Sequence, residues 1–304
     1  MTPHHSHDTP TDHRGRLGLA LALTSVVMIA EVVGAIITGS LALLADAGHM
    51  LTDTAGLIIA LIAAMLARRP FTDRRTWGYR RAEVLAATVQ AAILLAVGAF
   101  ILIESIQRLL APPEVHSGLM IVFGIIGLAA NVGSLLILRS QRGSNLNTRA
   151  AFLEVLNDAL GSVAVIVAAA AITLTGFQRA DSIASMIIAA MILPRTVILL
   201  RDTAEVLLES VPRGLDLAEL RRHLLALEHV VAVHDLHATQ VATGLPVLTA
   251  HIVVDDSCFQ DGHAPAMLDQ LQRCAADHFE ISIEHSTFQL EPASHGAHEH
   301  AAHS

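Results

Sequence analysis

LALLADAGHMLTDTAGLIIALIAAMLA, residues Leu41 to Ala67, is an apolar run interrupted by three ionisable side chains, Asp46, His49 and Asp53. A helix needs about 20 residues to cross a bilayer, and this run is long enough. The three residues are spaced by three and four, so a helix stacks them on one face. His49 with Asp53 can then present an imidazole nitrogen and a carboxylate oxygen to one ion. Charge at membrane depth is costly and marks an ion or proton path with a partner on another helix. A later span supplies that partner, because Glu154 and Asp158 in AFLEVLNDALGSVAVIV repeat the four-residue spacing. Two such spans facing each other offer four ligands, the number a tetrahedral Zn2+ site takes. The same spacing also allows two separate polar pairs that solvate interhelical water or each other.

Composition agrees with a membrane chain. Among 304 residues 53% are hydrophobic, the mean hydropathy is +0.55, and the apolar residues come in long blocks, which indicates a polytopic membrane protein. The formal net charge is −9 with 18 histidines counted neutral, which excludes an obvious nucleic-acid partner. All of the basic residues are Arg. Cys258 and Cys274 show no CxxC spacing, so neither a disulfide framework nor a thiolate metal knuckle is indicated, and both read as reduced cytosolic thiols. No HExxH and no nucleophile elbow appear, which argues against an intramembrane metalloenzyme.

Six spans are expected: 17–38 with Glu31 inside, 41–67, about 83–106, about 115–138 with Asn131 inside, about 150–174 and about 181–200. Arg14, Arg16, the six arginines of RRPFTDRRTWGYRRAE, Arg139, Arg142 and Arg149 fall on one side, with little beyond Arg108 and Arg179 on the other. Positive loops stay in the cytoplasm, which puts both termini inside. Residues 1–16 and 293–304 read as loose His-rich tails. Between them, after the last span, helical periodicity over 216–227 is followed by alternation over 230–241 and 246–254, a helix over 264–278 and a strand over 281–290. The order αββαβ predicts a small α+β domain, two helices against a three-stranded sheet.

SLALLADAGHMLTD, WGYRRAEVLAA, LNDALGSVAVIVAA, ADSIASMIIAAMIL, LLESVP and VHDLH, in this order, resemble the cation diffusion facilitator family of divalent-metal/proton antiporters from Arg16 to Pro292. The resemblance implies a homodimer in the inner membrane. Each subunit would pair a six-helix transmembrane bundle, residues 17–207, with a cytosolic ferredoxin-like domain, residues 208–292. It would export Zn2+, or Cd2+ or Co2+, against entering protons. Carried over by position, the transport site is His49, Asp53, Glu154 and Asp158. Zinc-preferring members generally have His where this chain has Glu154; an oxygen there shifts the site toward harder cations such as Mn2+, Fe2+ or Co2+.

Asp46 reads either as a cation attractor at the outer mouth or as a hydrogen-bonding group for a neighbouring helix. Asn131 and Asn157 are candidate accessory residues, as donors to the carboxylates or in interhelical hydrogen bonds. A structural hydrogen bond is expected for Glu31, and the arginine-rich loop reads chiefly as the positive-inside signal. In the cytosolic domain the resemblance assigns His234, His251 and His285 to a regulatory metal site, with His263, Asp255 and Cys258 as further candidate ligands. Plain strand alternation would point His234 and His237 to opposite faces. The competing function is a membrane-anchored metal sensor, which leaves the paired intramembrane acids unexplained.

Overall fold

A computed structural model describes residues 25–139, 146–260 and 262–295. The N-terminal His-rich tail, residues 17–24 of the first span and residues 296–304 lie outside the described residues. The chain divides into two compact units, one of residues 1–59 and 89–200, the other of residues 60–88 and 201–304.

The helices of the membrane region are α1 (Ser25–Thr38), α2 (Leu41–Ala67), α3 (Ala82–Leu110), α4 (Ser117–Arg139), α5 (Leu146–Thr175) and α6 (Arg179–Leu207). Among the described residues, α2 to α6 are each long and apolar enough to cross a membrane. The protein is a multi-pass membrane protein. Water drives none of the packing between helices in lipid, so small residues that allow close backbone approach carry it. The buried cluster here is accordingly rich in alanine, including Ala35, Ala42, Ala45, Ala168, Ala169, Ala184 and Ala189. Outward positions such as Ile36, Phe100, Leu136, Val167 and Ile198 are apolar and exposed, as a lipid-facing surface requires.

One contact fixes the start of α2. Gly39 turns the chain at φ +70°, a backbone conformation that suits glycine. Asp181 in the first turn of α6 then accepts hydrogen bonds from Ser40 Oγ at 2.5 Å, Leu41 N at 2.8 Å and Ala42 N at 3.2 Å. A buried carboxylate from another helix thus satisfies amides that α2 cannot satisfy itself. Helix α6 runs past the expected end at Leu200 to Leu207 and carries Pro194 in its interior. Proline has no N–H for the carbonyl one turn earlier, so the ladder is interrupted there.

The second unit contains α7 (Leu217–Leu225), β1 (Val230–Ala242), β2 (Leu245–Val254), a 3₁₀ turn at Asp256–Phe259, α8 (Ala264–Asp277) and β3 (His285–Pro292). Asp216 caps α7, accepting from Ala218 N at 2.8 Å and Glu219 N at 3.2 Å. The sheet order is β1-β2-β3, with β1 antiparallel and β3 parallel to β2. Leu220 and Leu224 of α7, Leu271 of α8 and Leu248 and Ile252 of β2 are fully buried in one core. Each contributes roughly 1.5–3 kcal/mol of burial. The αββαβ order and the two-helix, three-stranded layering therefore match the sequence reading.

Two details differ from it. The last strand begins at His285 rather than Ile281 and reaches Pro292, because Ile283 is buried and serves as a core anchor ahead of the strand. Strand β1 is irregular between His234 and His237, where Asp235 takes φ +46°. His234 pairs with His251 and His237 with Thr249, two residues apart on β2. The extra residue in the bulge resets the alternation, so both histidines share a face, where plain alternation would separate them.

The loop between α2 and α3 belongs to this second unit. Arg81 pairs with Glu209 at 2.7 Å, Glu83 accepts from Thr243 Oγ1 at 3.2 Å, and the Trp77 ring meets that of His285 edge-on, centroids 4.8 Å apart. The arginine-rich segment has a packing role in addition to its charge.

Candidate metal centres

In the membrane unit, helices α2 and α5 meet through their polar faces. His49 Nε2 stands 3.6 Å from Asp158 Oδ1, and both residues are buried. The helical register puts Asp53 one turn beyond His49 and Glu154 one turn before Asp158; the side chains of Asp53 and Glu154 lie outside the described ones. The approach of the two helices is set a turn away. A Cβ on Gly161 would lie 2.7 Å from Asp46 Oδ1, so any larger residue there must push the Asp46 carboxylate aside. Asp46 Oδ2 accepts from Ser162 Oγ at 3.3 Å, and Ser162 accepts from Asn131 Nδ2 of α4 at 3.3 Å. Asp46 thus makes an interhelical hydrogen bond, and it also lines a cavity with His49. Asn131 reaches Asp46 through Ser162.

Ser162 escapes a reading of the sequence, because one serine in an apolar run carries no distinguishing spacing. Glu31 of α1 lies beside this network, since a Cβ on Gly127 would meet its Oε1 at 2.4 Å. Its two oxygens are buried without a hydrogen bond among the described residues, so the structural bond expected for it is not formed. Asn157 is exposed to a cavity that it shares with Asp46, His49, Gln90, Arg195 and Thr196. That cavity gives the polar faces of α2 and α5 an opening bounded by α3 and α6.

The second centre is on the sheet. His234 of β1, His251 of β2 and Glu291 of β3 each place a ligand atom within 4.8 Å of the others. Cross-strand pairing accounts for this: His234 faces His251, their rings 5.1 Å apart, and Val253 of β2 pairs with Glu291. His251 Nδ1 lies 3.0 Å and His234 Nε2 3.4 Å from Glu291 Oε1. Glu291 is 2% exposed, yet neither of its oxygens accepts a well-formed hydrogen bond. Two imidazole nitrogens and a buried carboxylate oxygen this close together can share one ion, and the donor set fits Zn2+. Asp235 Oδ2, 3.4 Å from His234 Nδ1, orients that ring.

His285 does not join this group. In the parallel register the residue opposite His251 is Gln289, while His285 pairs with Val247 and packs on Trp77. Glu291 takes the place that the sequence reading gives to His285; it lies just beyond the expected strand end. Of the other candidates, Asp255 binds His229 at 3.0 Å, His263 stacks on His229 with centroids 5.8 Å apart, and Cys258 is buried in the core. They lie outside the three-residue cluster.

Residues 17–208 match the model of the cation efflux transmembrane domain, and residues 212–293 that of the cation efflux protein cytoplasmic domain. The chain is 44% identical over 289 residues to the metal cation efflux system protein CzcD of Cupriavidus metallidurans, covering 95% of this chain and 90% of that protein. It is 42% identical over 297 residues to the zinc transporter ZitB of Escherichia coli, covering 96% and 93%. With the cadmium, cobalt and zinc/H(+)-K(+) antiporter of Bacillus subtilis it shares 35% identity over 293 residues, covering 96% and 93%.

Proposed function

We propose, on the premise that this chain belongs to the cation efflux family and is a transporter of divalent metal cations, that it exports Zn2+ from the cytoplasm in exchange for protons through a site built on α2 and α5. The observation that carries the site is the meeting of His49 and Asp158 across those helices at 3.6 Å. Asp53 and Glu154, each four residues from one of them, complete a set of one nitrogen and three carboxylates. With a divalent cation bound, such a set holds a single net negative charge. Without the cation, the same carboxylate oxygens are open to protons. Metal and protons therefore compete for the same oxygens, and metal affinity falls as pH falls.

Glu154 supplies oxygen where His would supply nitrogen, but the intrinsic order of affinities still places Zn2+ above Mn2+, Fe2+ and Co2+. Relatives named for zinc, cadmium and cobalt support a borderline divalent cation as the substrate. The arginine-rich side faces the cytoplasm, as the positive-inside rule requires. His234, His251 and Glu291 form a regulatory site on the cytosolic domain of a homodimer, where bound metal biases the bundle.

The test is uptake into proteoliposomes with an acidic lumen. Purified protein should accumulate Zn2+ above the external concentration, and a protonophore should release it. Asp158→Ala should abolish accumulation. Uptake by Asp158→Ala at the wild-type rate would remove this site from the mechanism, and movement that stops at equal concentrations would make the protein a channel.

A further inference from the structure

The carboxylate of Glu291 is approached from two sides. Oε1 faces His234 and His251, while Oε2 lies 3.6 Å from Nε2 of His295. His295 follows the end of β3 at Pro292 by three residues, and the turn over 293–294 folds it back over the strand's last acidic residue. It is the first histidine of the C-terminal His-rich segment, which continues with His298, His300 and His303. We propose that His295 is the fourth ligand of the cytosolic centre, so that the start of the tail closes a Zn2+ site whose ligands all come from one chain.

The chemistry supports this. Three imidazole nitrogens and one carboxylate oxygen are a full tetrahedral set, the closed form that holds a metal in place. His234, His251 and Glu291 alone leave one position open. Asp235 holds Nδ1 of His234 and leaves Nε2 for the ion, as an outer carboxylate does for a ligating imidazole. The His295 side chain is 43% exposed, so it can close over an ion arriving from solvent without disturbing the core beneath the sheet. The proposal rests on His234, His251 and Glu291 being metal ligands, and the experiment separates the two claims.

Full-length protein in detergent micelles, carrying Asp158→Ala to silence the membrane site, is titrated with Co2+ while its visible absorption is followed. Affinity is read by competition with a chelator. A chain ended after His295 should bind as the full-length protein does, with the intense bands of tetrahedral Co2+. A chain ended after Ser294, and full-length His295→Ala, should lose affinity by at least about tenfold and give weaker bands as water enters the open position. If both bind unchanged while His251→Ala abolishes binding, the cytosolic centre stands and His295 is not part of it. If His251→Ala also binds unchanged, the three-residue centre itself falls, and the proposal falls with it.

Discussion

In the membrane unit an imidazole and a carboxylate meet across two helices; in the second unit two imidazoles and a carboxylate meet across three strands. The donors are alike and the surroundings differ. Around His49 and Asp158 lie a cavity and a chain of polar contacts through Asp46, Ser162 and Asn131. Such a setting offers an access route, which the proposed exchange requires. Around His234, His251 and Glu291 lies the face of the sheet turned away from the core, with exposed Thr249 and Gln289 beside them and an orienting carboxylate at Asp235. In the proposed reading, that second set is the one that keeps its ion. A transporter needs both, because a site that must release its ion at every cycle is a poor reporter of the metal concentration, whereas a site that keeps it can act as one.

The largest expected effect separates the two centres. Gly161→Val would drive a side chain into Asp46 Oδ1, which an added Cβ already meets at 2.7 Å. Displacement of ligands by about 1 Å lowers function on the order of 10²-fold, so Zn2+ accumulation in proteoliposomes should fall by about that factor. Co2+ titration of the cytosolic centre should still give its tetrahedral bands; their loss would show that the substitution damages more than the membrane site. A middle-sized effect sharpens the comparison of donors. Glu154→His exchanges oxygen for nitrogen and should raise the Zn2+ over Mn2+ transport ratio on the order of tenfold. Competition uptake with both ions reads this directly, and an unchanged ratio would place residue 154 outside the ligand set.

The smallest effect concerns the far side of the sheet. Burial pushes the Cys274 thiol up, so at a given pH it holds less reactive thiolate than an exposed cysteine. Alkylation of the folded protein should be several-fold slower than in denaturant, and loading the cytosolic centre with Zn2+ should leave the rate as it was. Acceleration by metal would mean that the centre loosens the core that supports it.

How much of this is legible in the sequence follows from the two kinds of backbone. A helix repeats every 3.6 residues regardless of its neighbours, so spacings of three and four are enough to place His49, Asp53, Glu154 and Asp158 on two polar faces. A strand's facing depends on every residue being in phase. One residue in the bulge at Asp235 suffices to bring His234 and His237 to the same side. The parallel register of β2 and β3 is set by a crossover through α8 and by the anchor at Ile283, neither of which is local to the histidines. The family resemblance therefore points to His285, and the register brings in Glu291. Ser162 and Gly161 are illegible for another reason, since their importance lies in what approaches them from a different helix.

Asp181 has a mechanical consequence. With its carboxylate seated on Ser40 and the first amides of α2, the N-terminal ends of α2 and α6 are pinned together. In the middle of α6, Pro194 removes a backbone bond and leaves a place where that helix can flex. A rocking motion that alternately exposes the ion to the two sides of the bilayer would carry the pinned ends as one lever and bend at the proline, so that the C-terminal half of α6 moves more than the half that holds Asp181.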